Sequence, residues 1–172
     1  RRIKKNKIPK KFNKDSSDFV IKNLPFDLTL SQKKVIGEIN SDLLSSRRMF
    51  RIIQGDVGSG KTIVSLLSII NVINSGYQCA LMSPTEILAK QHFDLTIKIF
   101  RFLNIKVDFL TGKTDYIKRK EILNNLKIGK TKLLIGTHAL FQKKIDFNKL
   151  GLVVIDEQHK FGVKQRSDLA KK

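Results

Sequence analysis

Gly55-Asp56-Val57-Gly58-Ser59-Gly60-Lys61-Thr62 lies between an apolar run, Met49 to Ile53, and a long apolar pattern at helical spacing from Ile63 onward. The spacing G-x-x-x-x-G-K-T reads as a phosphate-binding loop. Glycines let the backbone bend so that successive N–H groups point inward at an anion, and the helix that follows adds the positive end of its dipole. In such a loop Lys61 reaches the β- and γ-phosphates of a nucleotide and the Thr62 hydroxyl holds Mg²⁺. The apolar run before it predicts a strand, so the expected local order is strand, loop, helix.

The chain after the loop alternates between strand and helix patterns, which argues for parallel strands joined by crossover helices. Strands are expected at Gln78 to Met82, Lys106 to Leu110, Lys132 to Ile135 and Leu150 to Ile155, and helices at Thr85 to Phe102 and Asp115 to Leu126. The last strand is a near-continuous apolar run of the kind buried on both faces. Five polar clusters each follow a predicted strand: the phosphate loop, Ser83 to Glu86, Thr111-Gly112, Gly136 to His138, and Asp156 to His159. A parallel sheet would set all five on its carboxyl edge, where open α/β sheets bind ligands. The expected class is α/β with a mainly parallel central sheet.

Composition bounds the rest. At 172 residues, 41% of them hydrophobic, the chain can bury one sizeable core. Its 34 Lys and Arg against 15 Asp and Glu give a net charge of +19, which makes a polyanion the default partner. The single cysteine, Cys79, rules out an internal disulfide and suggests a reducing, cytoplasmic setting. The longest apolar pattern, Ile63 to Ile73, is interrupted by Ser65, Ser68 and Asn71 and is too short to span a bilayer, so no membrane partner is expected. Three histidines and one cysteine, without ligand spacing, make a zinc site a poor reading. Residues 1–14 carry eight Lys or Arg and read as a solvated linker, with 1–23 as the tail of a preceding domain and 24–172 as one domain.

Within that frame several residues have two readings. Thr29 and Gln32 form a capping box at the start of a helix whose apolar face is Val35, Ile36, Ile39, Leu43 and Leu44, and the spacing alone favours the cap. The Gln32 amide, which donates and accepts at once, could instead read the adenine edge of a nucleotide. Ser83, Pro84 and Glu86 suit N-cap, first helical position and capping-box partner, which also leaves N–H groups free for a DNA phosphate. Thr111-Gly112 and Thr137-His138 are small donors that can do the same, or ordinary turns. Asp156, emerging from Leu152-Val153-Val154-Ile155, can hold Mg²⁺ with Thr62, directly or through water. Glu157 can orient and activate the water attacking the γ-phosphate, or merely stabilise a helix start.

Leu24-Pro25-Phe26 with Leu28-Thr29 and Gln32, Gln54 to Thr62, Ala80 to His92, Gly136 to Leu140 and Leu152 to Arg166 together resemble the RecG family of bacterial ATP-dependent DNA helicases in superfamily 2. The resemblance runs from about residue 24 to the end, over that family's first motor domain. It implies a RecA-like P-loop NTPase fold, a three-layer sandwich that binds ATP and Mg²⁺. It also implies DNA partners that are branched, forked or junctions, as in remodelling of stalled forks and Holliday junctions by a monomer.

By the same likeness Gln32 touches the nucleotide, Phe26 stacks on the base, and Gln158 and His159 in the DEQH box link nucleotide state to DNA-facing loops. Pro84, Thr85 and His92, Thr111 and Gly112, Thr137 and His138, and Arg166 are then expected on the nucleic-acid side. Lys160 stands where the family usually has Arg, and a Lys cannot replace a planar guanidinium fork. A second RecA-like domain with an arginine finger and an N-terminal wedge domain are the family's further parts. Since such a finger contributes about 10³–10⁵ in rate, the 172 residues alone are expected to bind ATP weakly and hydrolyse it barely. Two rivals stand beside this reading: a transcription-repair coupling factor, which shares the phosphate loop and the FGV-x-QR tail, and a nucleic-acid-binding module whose loop is a relic.

Overall fold

The computed structural model describes residues 15–56, 58–141 and 145–157. These divide into two compact units that meet between Ser75 and Gly76.

The first unit is helical. Helix α1 spans Asp15–Lys22, α2 spans Leu30–Leu44 and α3 spans Lys61–Asn74, with α1 and α2 both packed against α3. Helix α3 is buried from Leu66 to Ile73, and Leu66, Leu67, Ile69, Ile70 and Val72 have no exposed surface, which marks a core helix rather than an amphipathic surface one. Helix α2 buries Ile36, Ile39 and Leu43, as its spacing predicts, but leaves Leu44 44% exposed, because the helix stops there and Ser45 turns to extended backbone. Buried Asn71 donates to buried Asn40 at 3.2 Å, a polar contact between α3 and α2 inside the unit.

Met49 to Ile53 departs from expectation. The run has no regular secondary structure and joins no ladder among the described residues, and Phe50 and Ile52 are 76% and 70% exposed. Apolar alternation supplies strand propensity, but a strand exists only when its N–H and C=O groups meet a partner. What holds the segment is Arg51, paired with Glu38 at 2.6 Å and Asp42 at 2.8 Å on α2. The hydrogen bond to Asp42, and with it Glu38, holds the guanidinium pKa above its ordinary range.

The second unit is a four-stranded, all-parallel sheet with helices on both faces. Its strands are β1 Gln78–Met82, β2 Val107–Leu110, β3 Leu133–Gly136 and β4 Leu150–Ile155, in the order β2-β3-β1-β4. Period-two alternation sorts the faces. Ala80, Met82, Leu110 and Leu134 form one core with Ile122 and Leu126 of α5 (Tyr116–Lys127) and with Leu140 and Ile145. On the other face α4 (Glu86–Phe100) packs against β2 and β3, its Phe93 ring 5.4 Å from that of Phe109.

The central strands β1 and β3 are buried throughout, whereas β4 is mostly half-buried. The expectation of burial on both faces of β4 therefore gives way to an edge position: β4 has a ladder on one side only among the described residues. The helix predicted from Thr85 ends two residues early, at Phe100, with Phe102 exposed under the Arg101 guanidinium.

Two buried polar devices fasten this unit. The Gln78 side chain, 2% exposed, donates to the carbonyls of Leu126 and Thr131 and accepts from the Lys149 N–H, joining β1 to the ends of α5 and the β4 approach. Gly136 closes the sheet where β3 runs against β2. A Cβ at this position would overlap the Leu110 carbonyl oxygen, so no side chain fits without moving the ladder.

Candidate functional site

The phosphate loop is built from local devices of the first unit. Gly58 and Gly60 adopt left-handed backbone, φ 82° and 80°, and Gly60 is the N-cap of α3. A side chain at Gly60 would overlap the Gln32 amide, so both conformation and space require glycine there. The Ser59 N–H donates to the Asp56 carbonyl at 3.1 Å, closing the turn. Lys61 folds over the loop: its Nζ donates to the carbonyls of Gly55 and Asp56, each at 2.7 Å. Thr62, half-buried, sits one residue into α3, so the loop presents an ammonium, a hydroxyl and a helix start together.

Gln32 fulfils the cap and does more. Its Oε1 accepts from the Thr29 N–H at 2.9 Å, the Thr29 hydroxyl accepts from the Gln32 N–H, and its Nε2 donates to the Ser59 carbonyl at 3.0 Å. The α2 cap is thereby tied to the loop across 27 residues of sequence. Phe26, half-exposed, stands in the turn that leads into α2.

The carboxyl edge of the sheet carries the second set. Leu110, Gly136, Met82 and Ile155 end the ladders in one row. Thr111, Thr137, Ser83 and Asp156 follow them along one edge, so four of the five predicted clusters share it, as parallel pairing requires. The backbone carries the row one step on, with the Ser83 N–H donating to Gly136 O at 3.0 Å and the Asp156 N–H to Met82 O at 2.8 Å. The Ser83 backbone continues the ladder and α4 begins only at Glu86, so the cap falls to Thr85, whose hydroxyl accepts from the Leu88 N–H at 3.3 Å; the expected Ser83 cap is displaced by two residues. Pro84 and Thr85 therefore bridge strand and helix, Thr85 exposed and Pro84 half-buried.

Thr111 is buried and its hydroxyl accepts from the Lys113 N–H, a turn motif beside exposed Gly112. Thr137 is buried, and exposed His138 begins a 3₁₀ turn, His138–Phe141.

At the acidic turn both carboxylate oxygens of Asp156 are engaged. Oδ1 accepts from the Glu157 N–H at 3.0 Å, and Oδ2 faces His92 Nε2 at 2.8 Å. Glu157 has φ 46°, a left-handed conformation that costs a residue with a Cβ about 1–2 kcal/mol. His92, expected on the nucleic-acid side, directs its ring to the acidic turn, with 12% of its side chain exposed. Sequence spacing gave no signal for this contact, since His92 and Asp156 are 64 residues apart. Val57, Gln158, His159 and Arg166 lie outside the described residues, as does Lys160.

These donors suit a nucleotide and a hard cation better than a protein-only metal cage. No group of three or more His, Cys, Asp or Glu side chains able to hold a metal occurs among the described residues. A phosphate-coordinated Mg²⁺ needs only one or two protein oxygens. Among those residues no helix is long and apolar enough to cross a membrane.

Comparison with known proteins agrees with the geometry. The chain is 51% identical over 149 residues to the ATP-dependent DNA helicase RecG of Synechocystis sp., covering 87% of this chain and 18% of that protein. It is 47% identical over 171 residues to the RecG of Thermotoga maritima, covering 99% and 22%. It thus spans about a fifth of the length of these curated relatives. A solved structure described as RecG bound to a three-way DNA junction matches 91% of the chain with TM-score 0.86 and 45% identity, over 22% of its own chain. The UvsW helicase of bacteriophage T4 shares the fold, with TM-score 0.67 at 18% identity. The fold is RecA-like. The family model for the DEAD/DEAH box helicase matches residues 29–172, and the chain belongs to the DEAD/DEAH box helicase family.

Proposed function

We propose that this chain is the ATP-binding motor domain of a RecG-type DNA helicase that remodels forked and junction DNA. The observation that carries the reading is the phosphate loop: left-handed glycines, a helix start, and a lysine drawn onto the loop's own carbonyls, where an anion's oxygens are the natural replacement. The relatives' names, matched along nearly the whole chain, support the same reading.

In this reading Lys61 and the loop N–H groups bind the β- and γ-phosphates. Thr62 and Asp156 would hold Mg²⁺, directly or through water, and Glu157 would orient the attacking water and take its proton. Bound Mg²⁺ supplies charge neutralisation on the phosphate oxygens. Gln32 reads the base while keeping the loop in register through Ser59, and Phe26 stacks on it. The loops at the carboxyl edge, Pro84-Thr85, Thr111-Gly112 and Thr137-His138, meet the DNA backbone, with Arg166 beside them, and Gln158 and His159 relay nucleotide state. A second motor domain and a wedge domain complete the enzyme.

The decisive experiment is nucleotide titration of the full-length protein and its Lys61→Ala variant. Loss of Mg²⁺-ATP binding in the variant is the expected result, and equal binding in both would refute the reading in favour of a relic loop. The DNA assignment predicts affinity that falls steeply with salt; an interaction indifferent to salt would remove it.

A further inference from the structure

We propose that His92 is a positioning residue for Asp156: it fixes the orientation of the carboxylate that, on the reading above, holds the cation. The inference rests on that reading and adds a residue to it.

A carboxylate on a strand end can rotate about its terminal bond, and a rotating ligand binds a hard cation poorly. Here Asp156 is held at three points. Its N–H is bonded to Met82 O at 2.8 Å, its Oδ1 accepts from the Glu157 N–H at 3.0 Å, and its Oδ2 lies 2.8 Å from His92 Nε2. An ionised carboxylate only accepts, so Nε2 carries the proton and donates. A carboxylate oxygen has two acceptor directions, so a donor along one of them orients the group without using both.

His92 is itself held. It lies in the interior of α4, its side chain is 12% exposed, and its backbone carbonyl accepts from the Thr96 hydroxyl at 2.6 Å. The ring of the next residue, Phe93, packs on Phe109 of β2. Helix α4 starts at the carboxyl-edge loop, with its Thr85 cap two turns before His92, so a shift of that helix start is transmitted along a rigid element to the cation-binding carboxylate. Partners one step removed from a metal typically change its affinity ten- to a hundredfold when removed.

Two variants of the full-length protein separate orientation from packing. His92→Phe keeps the ring volume and removes the donor; His92→Gln keeps an N–H donor at nearly the same reach. Nucleotide binding by wild type and both variants is followed at fixed nucleotide while Mg²⁺ is varied, and their melting temperatures are taken without nucleotide. The expected result is a half-saturating Mg²⁺ concentration raised about ten- to a hundredfold in H92F and restored in H92Q. Equal Mg²⁺ requirements in H92F and wild type, or equal shifts in both variants, would overturn the proposal, the second outcome assigning His92 to packing alone. A wild-type protein that binds no nucleotide in a Mg²⁺-dependent way would overturn the motor reading as a whole.

Discussion

The phosphate loop and the acidic turn are expected to serve one nucleotide, yet they are specified in different ways. The loop is a product of near neighbours: Gly58 and Gly60 supply the left-handed turns, Ser59 bonds Asp56, Lys61 bonds Gly55 and Asp56, and Gln32 reaches in from α2. The acidic turn has little of its own. Asp156 is placed by the β1–β4 ladder and oriented by a histidine from α4. A loop of the first kind survives disturbance of distant structure, because its geometry is set by backbone chemistry over a few residues. A turn of the second kind inherits every shift of the sheet and of α4.

Substitutions that act on one region and not the other test this contrast. The largest effect is expected from Gly136→Ala, whose Cβ would overlap the Leu110 carbonyl and cost about 3 kcal/mol or more. Denaturant unfolding should show it, and metal-dependent behaviour at Asp156 should fall with the sheet. A value below about 1 kcal/mol would mean that the β2–β3 ladder yields more easily than the close approach implies.

Gln78→Ala should cost about 2 kcal/mol, because it strips partners from two buried carbonyls and one N–H. Hydrogen exchange should then rise near Leu126 and Thr131 while the α2 cap stays protected. Thr29→Ala acts on the other side of the comparison. Loss of the capping box should cost about 1 kcal/mol and loosen the loop through Gln32 and Ser59, read as weaker nucleotide binding with the sheet unit unaffected. The smallest change is Lys90→Ala, which removes an exposed pair with Asp94 four residues on; a stability loss of a few tenths of a kcal/mol, vanishing at high salt, is expected from thermal melts.

Legibility from sequence followed the same division. β1 matches its predicted bounds, and α2, α4 and α5 lie within two residues of theirs, because 3.6- and 2-residue periodicities and the Thr29 and Asp115 caps are local signals. Met49 to Ile53 failed as a strand although its pattern was equally good, since alternation cannot name the partner a ladder needs. The cap of α4 lies at Thr85 rather than Ser83 because the parallel ladder carries the Ser83 backbone on to Gly136, more than 50 positions away, and the helix starts only at Glu86. β4, apolar enough for a central strand, lies at the edge of the sheet among the described residues, since hydropathy reports burial without reporting a strand's order in the sheet.

What the sequence determined alone was the chemistry available: a glycine-bent loop ending in Lys61 and Thr62, an Asp156–Glu157 pair after a strand, and strongly basic surroundings. These follow from residue type and short spacing, where covalent geometry does the specifying. Tertiary structure alone decided which groups orient one another. It joined Gln32 to Ser59 and His92 to Asp156, because contacts across 27 and 64 residues arise only when packed elements bring distant backbone together.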